Sequence, residues 1–205
     1  MKKFIITFLL LFSTLLFAQD SFWGLAVGVF IPKDAENGLK LGTRFGKQID
    51  EKVSYNLSLD IFRKKEENKE FLTKDATTGV TKSKVSSEYS LLYLPVLLNL
   101  SMQLPGGRQA AVKPYLTGGV GLSTLFLSVS NDEQNIDESK FYIGYNLSLG
   151  AGLSYKLAER SRVFVEGYYL SGSLVGKKNM VNGYTIEEEI DMGGLGVRCG
   201  IRIDI

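Results

Sequence analysis

Between residues 141 and 157 the chain reads FYIGYNLSLGAGLSYKL and alternates without a break. Phe141, Ile143, Tyr145, Leu147, Leu149, Ala151, Leu153, Tyr155 and Leu157 take the odd positions, and Tyr142, Gly144, Asn146, Ser148, Gly150, Gly152, Ser154 and Lys156 the even ones. A period of two kept for this long places the residues on two unlike faces of a β-strand, one apolar and one mostly small and polar.

Similar segments recur at 22–30, 39–47, 53–63, 87–104, 113–130, 162–173 and 190–205, which with 141–157 makes eight strands and no helical pattern. Turn signals separate them. The links after the first, third, fifth and seventh strands are long or polar (IPKDAENG, KKEENKEFLTKDATTGVTKSK at 64–84, NDEQNIDESK, and a run rich in Lys, Asn, Gly and Glu). Those after the second, fourth and sixth (QIDE, PGGRQAAV, AERS) are shorter. Long loops on one rim and short turns on the other predict an all-β fold: an eight-stranded antiparallel up-and-down transmembrane β-barrel. Pro95, inside the fourth strand, lacks a ladder donor and predicts a bulge or weakened pairing there.

The first residues, MKKFIITFLLLFSTLLFAQD, place two lysines before an apolar run and a small residue, Ala18, near a cleavage point. Residues 1–19 read as a secretory signal peptide and 20–205 as the barrel domain, bound for the cell outer membrane after passage through the inner one. The net charge of +2 belongs to Lys2 and Lys3: without them 24 − 2 = 22 basic residues face 22 acidic ones, so a nucleic-acid partner is not expected. Cys199 is the only cysteine, which rules out an intramolecular disulfide. Beyond the leader nothing resembles a run of roughly 18 apolar residues that a spanning helix would need.

The facing of the strands follows from their polar sides. Gly, Ser, Asn and Thr would make a poor solvated exterior but suit the crowded interior of a small barrel. In the last strand Leu195, Val197, Cys199, Ile201, Ile203 and Ile205 share one face, and Gly194, Gly196, Arg198, Gly200, Arg202 and Asp204 the other. An Arg facing hydrocarbon at the midplane costs about 2–4 kcal/mol, so Arg198 and Arg202 belong inside and outer-membrane lipid is the expected solvent of the apolar face. On that face Trp23, Phe45, Tyr55 and Tyr155 fall near the short-turn rim, and Phe126, Phe141 and Tyr169 toward the long-loop rim, the arrangement of two aromatic girdles.

The chain has no histidine. That removes His-dependent hydrolases, His-based metal sites and the commonest general base, so neither enzymatic activity nor a cofactor or metal is expected. The expected inward charges form a lumenal network of Lys40, Arg44, Asp60, Lys156, Glu166, Arg198 and Arg202. Pairing of the second and third strands with facing numbers summing to about 100 would set Lys40 opposite Asp60 and Arg44 opposite Asn56. Lys156 would be the diagonal neighbour of Glu166. The network reads either as a charge-selective gate or as an ion-paired plug, and an eight-stranded lumen that also holds Tyr142, Phe164 and Tyr168 favours the plug. The glycine clusters at 118–123 and 150–154 lack the Lys-Ser/Thr ending and following helix of a phosphate loop, and read as wall material. Asn-Leu-Ser recurs at Asn56, Asn99 and Asn146 inside strands, where glycosylation is not expected. The charged loop 64–84, with Phe71 and Leu72 as its large apolar residues, is the most accessible candidate for recognition.

The succession YLPVLLNL (93–100), KPYLTGGVGLS (113–123), YNLSLGAGLSYKL (145–157) and RVFVEGYYLSG (162–172) resembles the PorT-like outer-membrane β-barrel family common in Bacteroidetes. The resemblance implies an eight-stranded outer-membrane barrel, one namesake of which takes part in a secretion system, and carries over no catalytic residue. The expected function is a non-enzymatic, monomeric integral outer-membrane barrel with a structural or binding role through extracellular loops. One alternative is a narrow pore or a component of a secretion or transport apparatus with an extracellular or secretion-system protein partner. Another is a soluble periplasmic barrel binding an apolar ligand, which needs the face of Leu147, Leu149 and Leu153 to point inward.

Overall fold

A computed structural model describes residues 21–74, 81–105, 111–131, 136–176, 179–181, 184–186 and 188–205. The leader expected at 1–19 lies outside the described residues, as do the side chains of 66–88, those of Phe71 and Leu72 among them.

The described strands are β1 (Ser21–Pro32), β2 (Gly38–Gln48), β3 (Val53–Lys74), β4 (Thr81–Gln103), β5 (Val112–Asn131), β6 (Ile136–Ala158), β7 (Ser161–Val175), β8 (Asn179–Val181), β9 (Tyr184–Ile186), β10 (Glu189–Asp191) and β11 (Gly194–Asp204). Eight of them, β1 to β7 and β11, pair antiparallel with their neighbours, and β11 pairs with both β7 and β1, so the sheet closes on itself. β10 pairs with β7 in the register of β11 and so continues the eighth wall strand after a break, and β8 and β9 form a small separate hairpin. Following partners around the wall from Ser21 through Lys47, Tyr55, Leu100, Gly118, Leu149, Tyr169 and Leu195 returns to Ile31, ten residues further along β1 (31 − 21). A stagger of that size tilts the strands by about 40° and sets a backbone radius of about 8 Å, enough for side chains to fill the interior.

Facing follows the period of two. The odd column of β6 points out, with Leu147 54%, Leu149 69% and Leu153 54% exposed, while Asn146 and Ser148 are buried in the lumen. The soluble-barrel alternative, which needed those leucines inside, is therefore overturned. Pro95 disturbs the β3–β4 ladder without shifting it: partners on either side, Leu59↔Val96 and Phe62↔Tyr93, share one register, and the pairs between them are missing. The outcome is weakened pairing with no bulge at that point.

Two expectations on strand length are corrected. The segment 64–84 is no simple loop, because β3 runs on to Lys74 and β4 starts at Thr81, paired with each other. β6 likewise begins at Ile136, ahead of the expected 141. These hairpins rise beyond the end of β2, where neither face needs to meet hydrocarbon, so a polar sequence pairs there without alternating.

At the long-loop mouth residues 188–193 carry the last wall strand onward, with β10 keeping along β7 the register of β11. Met192 enters the core. Asp191 accepts from Lys33 Nζ at 2.7 Å and from the Gly193 amide at 2.8 Å, while Glu188 accepts from Lys140 Nζ at 2.9 Å and Tyr142 Oη at 2.7 Å. Hydrogen bonds from Lys33 hold the Asp191 carboxyl below its ordinary range, and those from Lys140 and Tyr142 do the same for Glu188. A carboxyl depressed in the folded state contributes stability at neutral pH that is lost as pH falls through its lowered value. Amide-exchange protection of 188–193 is thus expected to persist from pH 7 down through ~4 and then to fall. Protection that stays flat to pH 2 would rule the clasp out.

Candidate functional site

The lumen is built from inward residues of every wall strand, and its middle holds an ion-paired cluster. β2 supplies Lys40 and Arg44, β3 Asp60, β5 Tyr115, β7 Glu166 and β11 Arg198, all buried. Glu166 has no exposed surface and is held on both oxygens. Arg44 donates to it through Nη1 and Nη2 at 3.3 and 3.1 Å, Arg198 through Nε at 2.8 Å and also through Nη2, and Tyr115 Oη at 2.8 Å. Asp60 receives Lys40 Nζ at 2.9 Å and Arg198 Nη1 at 3.5 Å, so Arg198 links the two carboxylates. The cations also lie on aromatic faces: Lys40 Nζ is 5.0 Å from the Phe30 ring centre and 4.9 Å from that of Tyr168, Arg44 is 4.8 Å from Phe164, and Arg198 4.6 Å from Tyr168. With its oxygens occupied by guanidinium and phenol donors, Glu166 is a structural anion and no general base.

Space for this cluster comes from inward glycines on the strands alongside. Gly42 stands opposite Asp60, Gly28 opposite Arg198 and Gly152 opposite Glu166. A Cβ at Gly42 would overlap the Asp60 carboxylate, and one at Gly28 would meet the Val197 carbonyl oxygen and sit 2.7 Å from Arg198 Cβ.

Several expectations are corrected here. The β2–β3 register sums to 102, not about 100: Lys40 faces Phe62, Arg44 faces Ser58, and Asp60 faces Gly42. The turn takes up the difference, because the Asp50 carboxylate accepts from the amides of Lys52 and Val53, both at 2.7 Å, and Ile49 N bonds Val53 O at 2.9 Å. A two-residue slide keeps every side chain on its face, so Lys40 still reaches Asp60, diagonally. Lys156 does not join the network. It faces Arg162 and is exposed at the short-turn end, while the β6 partner of Glu166 is Gly152, four residues away and roughly 13 Å along the strand. Arg202 is inward but separate: it donates to Asp204 at 2.7 Å and Gln48 at 2.6 Å over the Phe22 ring.

Sequence reasoning does not single out the cluster's neighbours. Tyr115 is one of them. Another is a second, apolar plug toward the long loops, where Phe30, Phe62, Leu91, Tyr93, Leu125 and Leu170 pack with Met192. The repeated Asn-Leu-Ser steps supply a third layer: Asn99 Nδ2 donates to Ser58 Oγ at 2.9 Å and Asn56 Oδ1 at 3.3 Å, and Asn146 Nδ2 to Tyr93 Oη at 2.8 Å.

Of the outward aromatics, Trp23 faces Phe45 across β1 and β2 with ring centres 6.4 Å apart, and Tyr55 and Tyr155 sit beside Lys47 and Val112 toward the short turns. Phe126 and Phe141 face each other at 5.0 Å, and Tyr169 is paired with Leu195 near the other end.

No family model and no curated protein matches the chain. Solved structures do. Neisserial surface protein A is similar at 15% identity and a TM-score of 0.53, over 90% of this chain and 96% of its own. A major outer membrane protein from Thermus thermophilus is similar at 12% identity and 0.55, over 90% and 99%. Ail, the attachment invasion locus protein of Yersinia pestis, in complex with the heparin analogue sucrose octasulfate, is similar at 12% and 0.52, over 91% and 99%. At these identities the likeness establishes the fold: the chain has the architecture of small outer-membrane barrels.

Proposed function

We propose that this chain is a monomeric, non-enzymatic integral outer-membrane barrel that is closed to diffusion and meets its partner through the hairpins rising beyond the long-loop rim. The observation that carries the reading is the filling of the lumen, in which the ion-paired cluster and the apolar plug lie in series. The exposed column of Leu147, Leu149, Leu153, Val165 and Val197 supports residence in lipid, since an aqueous exterior would leave these side chains unburied. The blocks at 93–100, 113–123, 145–157 and 162–172 support placement with PorT-like proteins, and through their namesake a partner in a secretion apparatus.

The outward Cys199 provides the test, being exposed in the middle of β11. In whole cells a lipid-soluble maleimide is expected to modify Cys199 and a membrane-impermeant one is not, with the protein recovered in the outer-membrane fraction and migrating faster on gels before heating. In planar bilayers the folded protein is expected to pass no steady current. Recovery in the soluble periplasm would sink the membrane reading, and single-channel steps would sink the closed lumen.

A further inference from the structure

Below the ion-paired cluster, toward the short-turn mouth, the lumen widens into a cavity of about 60 Å3. Its walls include Phe22, Arg44, Asn56, Tyr115, Phe164 and Arg202, and Arg162 stands at its edge. That volume holds several water molecules, and hence a small carboxylate or phosphate.

Among the described residues, the ion-paired groups of the lumen carry more positive than negative charge. The upper cluster sets Lys40, Arg44 and Arg198 against Asp60 and Glu166, which leaves +1 (3 − 2). The lower group sets Arg162 and Arg202 against Asp204, at 3.4 and 2.7 Å, which leaves a second +1 (2 − 1). The cavity lies between these two surpluses and is lined from both. One guanidinium hydrogen is also unspent. Arg44 Nε, on a side chain only 10% exposed, is buried and donates no hydrogen bond, whereas Arg162 Nε faces Asp204. Buried cations in excess of their counter-charges are costly, and an uncommitted buried donor adds to the cost. A single bound anion relieves both.

We infer that this cavity is an anion seat that takes a small carboxylate or phosphate from the short-turn side. Arg44 holds the anion from above and Arg162 and Arg202 from below, while the Phe22 and Phe164 rings exclude bulk water and accept a short apolar tail. Directional N–H donors suit oxyanions better than a spherical ion, so chloride binds more weakly. The hydroxyl of Tyr115 is already committed to Glu166 and leaves the donor work to the arginines.

The test uses the folded protein in detergent at fixed ionic strength, with sodium acetate, sodium benzoate and inorganic phosphate as probes and sodium chloride as reference. A ligand that binds the folded state raises the unfolding midpoint in a saturable way. Acetate, benzoate or phosphate is expected to do so at concentrations where chloride does not. Arg162→Gln, at the edge of the cavity and outside the cluster around Glu166, is expected to weaken the effect by at least about tenfold, the loss of one charge-assisted contact. Arg202→Gln provides a second variant. Preference for benzoate over acetate assigns the seat to carboxylates with an apolar body, and preference for phosphate to phosphate groups. A midpoint that follows chloride for every probe overturns the inference, and so does a saturable shift that both variants leave unchanged.

Discussion

Glu166→Ala lowers the unfolding free energy by about 3–5 kcal/mol, the penalty for stripping a buried charge group of its partner. Arg44 and Arg198 both converge on this carboxylate, and Tyr115 loses its acceptor as well. The effect should appear as a lowered denaturant midpoint of the detergent-folded protein, with unfolding followed by the loss of fast gel migration. Lys156→Ala is the matched control: an exposed cation outside the network, whose removal stays within about 0.5 kcal/mol. The Glu166→Ala protein is also expected to remain electrically silent, because the apolar plug lies in series with the cluster. A loss below about 1 kcal/mol, in the range of exposed pairs, would mean that the cluster is solvated.

Phe30→Ala is expected to cost a similar amount, about 3–5 kcal/mol, through a cavity that the wall cannot collapse to fill. Phe30 is fully buried. It meets Phe62 edge-on at 5.6 Å and stacks with Tyr93 at 6.4 Å and Tyr168 at 6.2 Å, while Lys40 Nζ lies 5.0 Å from its centre. It therefore belongs to the apolar plug and the charged cluster at once. Unfolding of Phe30→Ala, Lys40→Met and the double variant should show a coupling of about 0.5–2 kcal/mol, the range of cation–π contacts. Independent effects of the two substitutions would mean that the plugs do not touch energetically.

Facing was legible in the sequence because a period of two survives the commonest errors of alignment. The β2–β3 pairing slid by two residues, and Lys40, Arg44 and Asp60 still pointed inward. Register was not legible, since it depends on how the Asp50 side chain closes its turn, a contact that leaves no periodic trace. Strand length failed for a related reason: once β3 and β4 leave the apolar band, water accepts either face and the pattern that marks a strand disappears. Lys156 misled because it shares the inward column of β6, yet lies so far toward the turn that it is exposed. The apolar plug hid in the segment 91–98, LLYLPVLL, which is apolar on both faces. Alternation has no contrast to offer there. Met192 lies on the inward column of the strand expected at 190–205, so its facing was legible, but not the plug that it joins.

The closing seam has a consequence for how the molecule comes to exist. Val27 pairs with Cys199, so the last wall contact joins residues 172 apart (199 − 27). Bringing such distant segments together costs roughly 4–5 kcal/mol of chain entropy beyond a constant, and pairings of this range form late. Until β11 meets β1 the sheet has two raw edges, and Arg198 lacks its seat against Gly28. The cluster therefore serves as a checkpoint on assembly. A chain that has not closed cannot complete its central ion pairs, and one that has closed gives up wall and centre together when it opens.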